Sequence, residues 1–217
     1  DMGKSYKTKR DVFPTIMAAF PNTAKLAFWS ILVAVAIALP IGIISATRQY
    51  SMVDNVGMVA ALLGVATPNF WLGLMLILLF SVTLGWLPAT GSVSVTGMIL
   101  PAITLSASFM AGTMRTTRSS MLDCLNQDYI RTAKAVSSRD VIDKHALKNA
   151  LLPIITVVGV NVGTQMGGSV LTETVFSYPG LGIMLTNGIK QTDTPTILGC
   201  LVLMALCIGI CNLLVDI

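Results

Sequence analysis

One histidine (His145) and four cysteines (Cys124, Cys200, Cys207 and Cys211) are the side chains of this sequence best suited to nucleophilic or metal chemistry. Their spacing supports neither. There is no Cys-x-x-Cys pair, and one imidazole completes no familiar metal-ligand set. Cys200, Cys207 and Cys211 fall inside the last apolar run and read as small buried hydrophobes. Gly3-Lys4-Ser5 has the ending of a phosphate-binding loop, but the chain shows neither the upstream glycine nor the preceding strand, so it reads as solvated sequence. What remains is a chemistry of contact and passage. Asn69, Asn161, Thr164 and Gln165 sit in charge-free apolar sequence, where an amide needs a hydrogen-bonding partner or a watery pore. Glu173 stands at the edge of such a stretch, placed to gate a route, to hold a helix end or to face water.

The most polar stretch is Asp128 to Pro153, with seven charged side chains beyond Asp128 in a chain that is only 11% charged. Asp128 to Ala135 predicts a short helix carrying Tyr129, Ile130 and Ala133 along one side. Ser137 and Asp140 form a capping box that starts a second helix at about Ser138. That helix sets Val141, His145 and Leu152 near one stripe, with Lys144 and Lys148 on another. Two short helices joined by a Ser-Ser turn make a docking knob.

The elements that must hold these residues are membrane spans. No charged side chain occurs from Leu26 to Thr47, Asn55 to Met114, Asn149 to Thr172, or Thr194 to Val215. Crossing a bilayer takes roughly 20 helical residues. Five spans are expected: Ala24 to Ala46 with Pro40 inside it, Val56 to Leu84 interrupted at Thr67-Pro68-Asn69, Met98 to Met114, Leu151 to Thr172, and Pro195 to Val215. Asn69 at that interruption either borders a solute route or sits in a kink satisfied by neighbouring helices. A soluble bundle would need charged outer faces, and these stretches have none. Gly159, Gly163 and Gly167 repeat a small-x-x-x-small spacing, which predicts a smooth face for close helix packing. Residues 115 to 148 hold seven lysines and arginines, which places that loop in the cytoplasm and residues 1 to 22 and 173 to 193 outside. The formal charge of +4 therefore reads as topology, not as nucleic-acid binding.

Asp128-Tyr-Ile-Arg-Thr-Ala and His145-Ala-Leu-Lys-Asn-Ala-Leu-Leu-Pro153 resemble the cytoplasmic coupling (EAA) loop of binding-protein-dependent ABC importer permeases, and more narrowly the peptide/nickel permease family. Arg115-Thr-Thr-Arg-Ser-Ser-Met121, Thr172-Glu-Thr-Val-Phe-Ser-Tyr-Pro-Gly-Leu-Gly182, Pro68-Asn-Phe-Trp71 and Asn212-Leu-Leu-Val-Asp216 are similar to that family as well. In one departure, the family usually has a Lys-Gly or similar pair where this chain passes directly from Ala135 to Val136, which bears on the docking geometry.

The resemblance implies an all-α membrane protein with about five of the family's usual six spans, the first being expected upstream, and a cytoplasmic coupling-helix hairpin. It divides the chain into an extracytoplasmic segment 1–22 and a permease domain 23–217, with coupling loop 119–149 and extracytoplasmic loop 173–193. The chain is expected to stop inside the family's final block. Docking to an ATPase is carried over to Tyr129, Ile130, Arg131, Thr132, Ala133, Ala135, His145 and Asn149, although His145 equally suits stacking inside the hairpin. Implied partners are a second homologous permease, two ABC ATPases, a solute-binding protein and membrane lipid, in a bacterial or archaeal cytoplasmic (inner) membrane. ATP and Mg would be bound by the ATPases, with no cofactor or catalysis on this chain.

Peptides are the first expected substrate, with nickel or glutathione as alternatives. A stand-alone carrier or channel is the alternative class. Against a proton-coupled carrier, no acid, lysine, arginine or histidine lies inside any expected span.

Overall fold

The computed structural model describes residues 2–127 and 147–216. Its elements are α1 (Val12–Thr47), α2 (Met52–Ala66), α3 (Asn69–Leu76) running into a π-helical segment (Ile77–Thr83), α4 (Val95–Leu125), α5 (Leu147–Phe176), α6 (Leu181–Lys190) and α7 (Thr194–Asp216). Among the described residues there is no strand, only an isolated bridge between Lys4 and Asp11. Four helices are long and apolar enough to cross a membrane, and a fifth crossing results if the bent pair α2–α3 counts as one span.

α4 extends beyond its expected Met98 to Met114 limits, from Val95 to Leu125, and two other elements differ more. The first helix begins at Val12, not near Ala24, and runs through both Pro21 and Pro40. Its 36 residues span about 54 Å, well beyond a hydrocarbon core. The extra outer turns exist because they are packed: Val12 and Ile16 are buried with Leu181, Leu185, Cys200 and Met204. Pro21, Asn22 and Thr23 resemble a helix boundary in sequence, but the Asn22 amide donates to the Pro179 carbonyl in the loop after α5 and the Thr23 hydroxyl donates to Glu173 on α5 itself. The second difference is the interrupted span, which turns by 104°. Thr67 is extended, as steric clash with the following proline ring favours, and Pro68 opens α3 from an extended conformation.

α1 and α4 form the most extensive helix pair, with α5 packed on α4 and α7. Ser94 accepts a bond from the amide of Gly97 and starts α4 at Val95, so Pro101 lies beyond the first turn. The two ends of the bundle are named inner and outer after the charge-derived topology. At the inner end Ala46, Met121, Ala150 and Ile154 from α1, α4 and α5 share one buried cluster. At the outer end the loop before α4 reaches α5, where the Gly91 amide donates to the Phe176 carbonyl at 2.5 Å.

The glycine face of α5 packs within the chain. A β-carbon added at Gly163 would sit 3.3 Å from the Cα of Ile208 and 3.3 Å from the Cβ of Cys211, both on α7. Val215 covers Gly159, and Ile208 also covers Gly167. The surface across this smooth stripe is thus α7 of the same chain, not a second subunit. Gly163→Leu is expected to push α7 away and lower stability by about 2 kcal/mol. Thermal unfolding in detergent measures it, and an unchanged transition would contradict the packing.

Candidate functional site

Tyr129, Ile130, Arg131, Thr132, Ala133, Ala135 and His145 lie outside the described residues. Asn149 is described: it is exposed in the first turn of α5, at the inner end of the bundle. The described part of α4 ends at Leu125 and α5 begins at Leu147, so the other residues expected to dock lie between these two helices in sequence. The two helices are held together at the inner end by the Met121, Ala150 and Ile154 cluster.

The five polar candidates for a solute route are not gathered in one cavity. Asn69, at the break, accepts a bond from the Ser108 hydroxyl of α4 at 2.9 Å. Gln165 is buried and ties three helices, its amide donating to the Ser30 hydroxyl of α1 at 3.3 Å and to the Leu105 carbonyl of α4 at 3.1 Å. Asn161 donates to the Val157 carbonyl of its own helix at 2.7 Å. Thr164 is exposed and donates to the Asn161 carbonyl at 3.0 Å. A cavity of about 700 Å³ lies between α1, α5 and α7, but its walls are apolar, with Phe28, Ile31, Val162, Met166 and Ile210 among them.

Glu173 takes the helix-holding role among its three possibilities. It is fully buried, and its Oε2 accepts from the amides of Gly182 at 2.6 Å and Ile183 at 3.2 Å. Its Oε1 accepts from the Thr23 hydroxyl at 2.7 Å, while Thr23 Oγ1 accepts from the Leu181 amide at 2.8 Å. The first three N–H groups of α6 are thus satisfied by side chains from α5 and α1, which also place a carboxyl at the positive end of the helix dipole. Glycine is required at both neighbouring positions. A β-carbon at Gly180 would lie 2.5 Å from Glu173 Oε2, and one at Gly182 would lie 2.5 Å from the Cα of Val170. The Tyr178 hydroxyl donates to the Asn22 carbonyl at 3.3 Å, and the Asn22 amide donates to the Pro179 carbonyl at 2.7 Å.

A second knot ties the N-terminal segment to the start of α7. Asp193 accepts from the Ser5 hydroxyl at 2.6 Å, the Tyr6 amide at 2.8 Å and the Thr196 hydroxyl at 2.7 Å. Burial opposes its charge, but these donors and nearby Lys7 outweigh it and hold the carboxyl below its ordinary value of 3.8. Between the two knots opens a cleft of about 490 Å³, whose walls include Thr15, Asn22, Asn187 and Gln191. It lies at the end of the bundle that holds Asn22 and α6.

Sequence reasoning missed the inner-end ion pair. Arg118 donates from Nε and Nη2 to the two carboxyl oxygens of Asp54 at 2.7 and 2.9 Å. The expected spans leave Asp54 before the second, which begins at Val56, and Arg118 beyond the third, which ends at Met114. Because α2 begins at Met52, capped by Ser51, Asp54 instead lies in its first turn and is only 2% exposed. The available signal was two opposite charges at the same membrane face by topology.

Comparison with known proteins follows this architecture. The chain has the fold of solved importers: it matches the MetNI methionine ABC transporter in an inward-facing form with a TM-score of 0.73 at 18% identity, covering 94% of both chains. An amino acid ABC transporter with histidines matches with a TM-score of 0.71 at 15% identity, covering 94% of this chain and 90% of that one. In sequence, the oligopeptide transport system permease protein AppB of Bacillus subtilis is 43% identical over 231 residues, covering 100% of this chain and 73% of the relative. The dipeptide transport system permease protein DppB of Escherichia coli K12 is 38% identical over 249 residues, covering 100% and 74%. The glutathione transport system permease protein GsiC of Pectobacterium atrosepticum is 41% identical over 218 residues, covering 100% and 71%. Residues 38–217 match the profile of the binding-protein-dependent transport system inner membrane component, and with such relatives along its whole length this chain belongs to that family of inner-membrane permeases.

Proposed function

We propose that this chain is one of two pore-forming subunits of an ATP-driven importer that carries di- and oligopeptides across the inner membrane. The carrying observation is the full-length similarity to permeases named for oligopeptides and dipeptides. The bundle suits an externally powered machine. The apolar runs of its spans hold no acid, lysine, arginine or histidine, which favours energy arriving through a contact. That contact is the 119–149 stretch, which begins in α4 and ends in α5, with Tyr129, Ile130, Arg131, Thr132, Ala133, Ala135, His145 and Asn149 meeting a partner ATPase. ATP and Mg belong to that partner, and this subunit catalyses no reaction. A solute-binding protein delivers peptide at the outer end, where the cleft beside α6 opens. The second permease completes the route, with lipid against the outer faces. Glutathione, itself a tripeptide-like solute, is the second substrate reading, favoured by the relative named for its transport.

The test is Ala133→Asp, because a charge forced into a docking groove stays desolvated and unpaired. ATP-driven uptake of labelled peptide in proteoliposomes containing the whole complex is expected to fall by about tenfold or more. Normal uptake with normal ATPase recovery would contradict docking through this face. Competition by unlabelled dipeptide, oligopeptide and glutathione against the wild type separates the substrates.

A further inference from the structure

We propose that the Asp54–Arg118 ion pair is a strut that makes the broken span α2–α3 follow α4, so that movement of the α4 inner end reaches the break at Thr67-Pro68. The proposal rests on the coupling-loop function above and adds the residues that transmit its motion. Only Asp54 and Ala61 are buried among the residues of α2. The rest of its contact with α4 is an apolar strip, mostly small residues of α2 against Ala111 and Met114, with Met58 and Met110 beside them. Gly64 faces Ala111, Ala61 packs with Ala111 and Met114, and Gly57 faces the Met114 methyl. Such a strip is smooth and holds two helices close, but it does not lock them against sliding.

Two polar contacts supply the lock. At the inner end the Arg118 fork grips both oxygens of Asp54, with the two side chains 22% and 3% exposed. The Tyr50 amide donates to the same carboxyl at 3.0 Å, fixing its orientation from the other side. At the break, Asn69 takes the Ser108 hydroxyl. A forked guanidinium–carboxyl contact is directional, so translation or rotation of α4 pulls Asp54 along. Arg118 lies two turns before the end of α4 at Leu125, next to the loop expected to meet the ATPase. Asp54 and Arg118 are therefore positioning residues for transport. Neither needs to touch the solute.

The experiment compares the wild type with Asp54→Asn and Arg118→Gln in the complete transporter in proteoliposomes, reading ATP hydrolysis and peptide uptake together. Both variants should keep the ATPases bound and hydrolyse ATP, while peptide moved per ATP falls about tenfold. Arg118→Lys keeps the charge but loses the fork, and should lie between them and the wild type. It also gives the answer if the neutral variants fail to accumulate. Uptake and hydrolysis falling in equal proportion would reduce the pair to a structural tie and overturn the proposal, as would an unchanged ratio. A wild-type chain that recovers no ATPase would overturn the coupling-loop function, and this proposal with it. A wild type that couples normally beside variants with an unchanged ratio would overturn the strut alone.

Discussion

Glu173→Ala is expected to loosen the outer end of the bundle and lower stability by about 3 kcal/mol or more. The carboxyl group is fully buried and receives the Thr23 hydroxyl and the amides of Gly182 and Ile183. Alanine leaves these donors without an acceptor in a space water does not readily fill, and each unpaired donor costs about 1–3 kcal/mol. Thr23 still accepts from the Leu181 amide but loses the acceptor that orients its hydroxyl, so the first turn of α6 keeps one of its three side-chain caps. Glu173→Gln retains one carbonyl oxygen and should be intermediate. Thermal unfolding in detergent gives the magnitude, and limited proteolysis around Gly180 shows where the opening occurs. Wild-type behaviour of the alanine variant in both would contradict the capping role.

The second large effect is expected from Gly42→Leu, at the most extensive helix pair. A β-carbon there would lie 2.7 Å from Thr117 Cβ and 2.9 Å from the Met114 carbonyl oxygen. One of these neighbours is backbone and the other is a branched, buried side chain, so neither can swing aside. The helices must separate, at a cost of about 3 kcal/mol. Gly112→Ala is the control, because a β-carbon added there meets nothing within 4 Å. That variant should hold or slightly raise stability, through better helix propensity. Equal unfolding temperatures for the two variants would contradict the α1–α4 packing.

These contacts show where sequence was informative and where it was not. The spans were legible because charge is excluded from lipid, and α5 and α7 run close to their predicted limits. The break at Thr67-Pro68 was legible from proline sterics, but its 104° turn was not, since a proline says that a helix is interrupted and not where the chain goes next. Likewise, the spacing of Gly159, Gly163 and Gly167 announces a smooth face without naming what lies on it. Gln165 illustrates the same limit. An amide in apolar sequence demands a partner, and only the fold reveals that Ser30 and Leu105 supply it, leaving no free amide to line a route. Asp54 and Arg118 are separated by 64 positions, and no local period relates them. The start of α1 was expected near Ala24, but the polarity of Asn22 and Thr23 serves tertiary hydrogen bonds and not a helix end.

The most direct measurement is affinity purification of the full-length protein in mild detergent, with mass spectrometry of what accompanies it. Recovery of a second permease and two ATPases is predicted, and it should be lost when Tyr129 to Ala135 is altered. Recovery of this chain alone, active in vesicles without ATP, would contradict an importer powered through that loop.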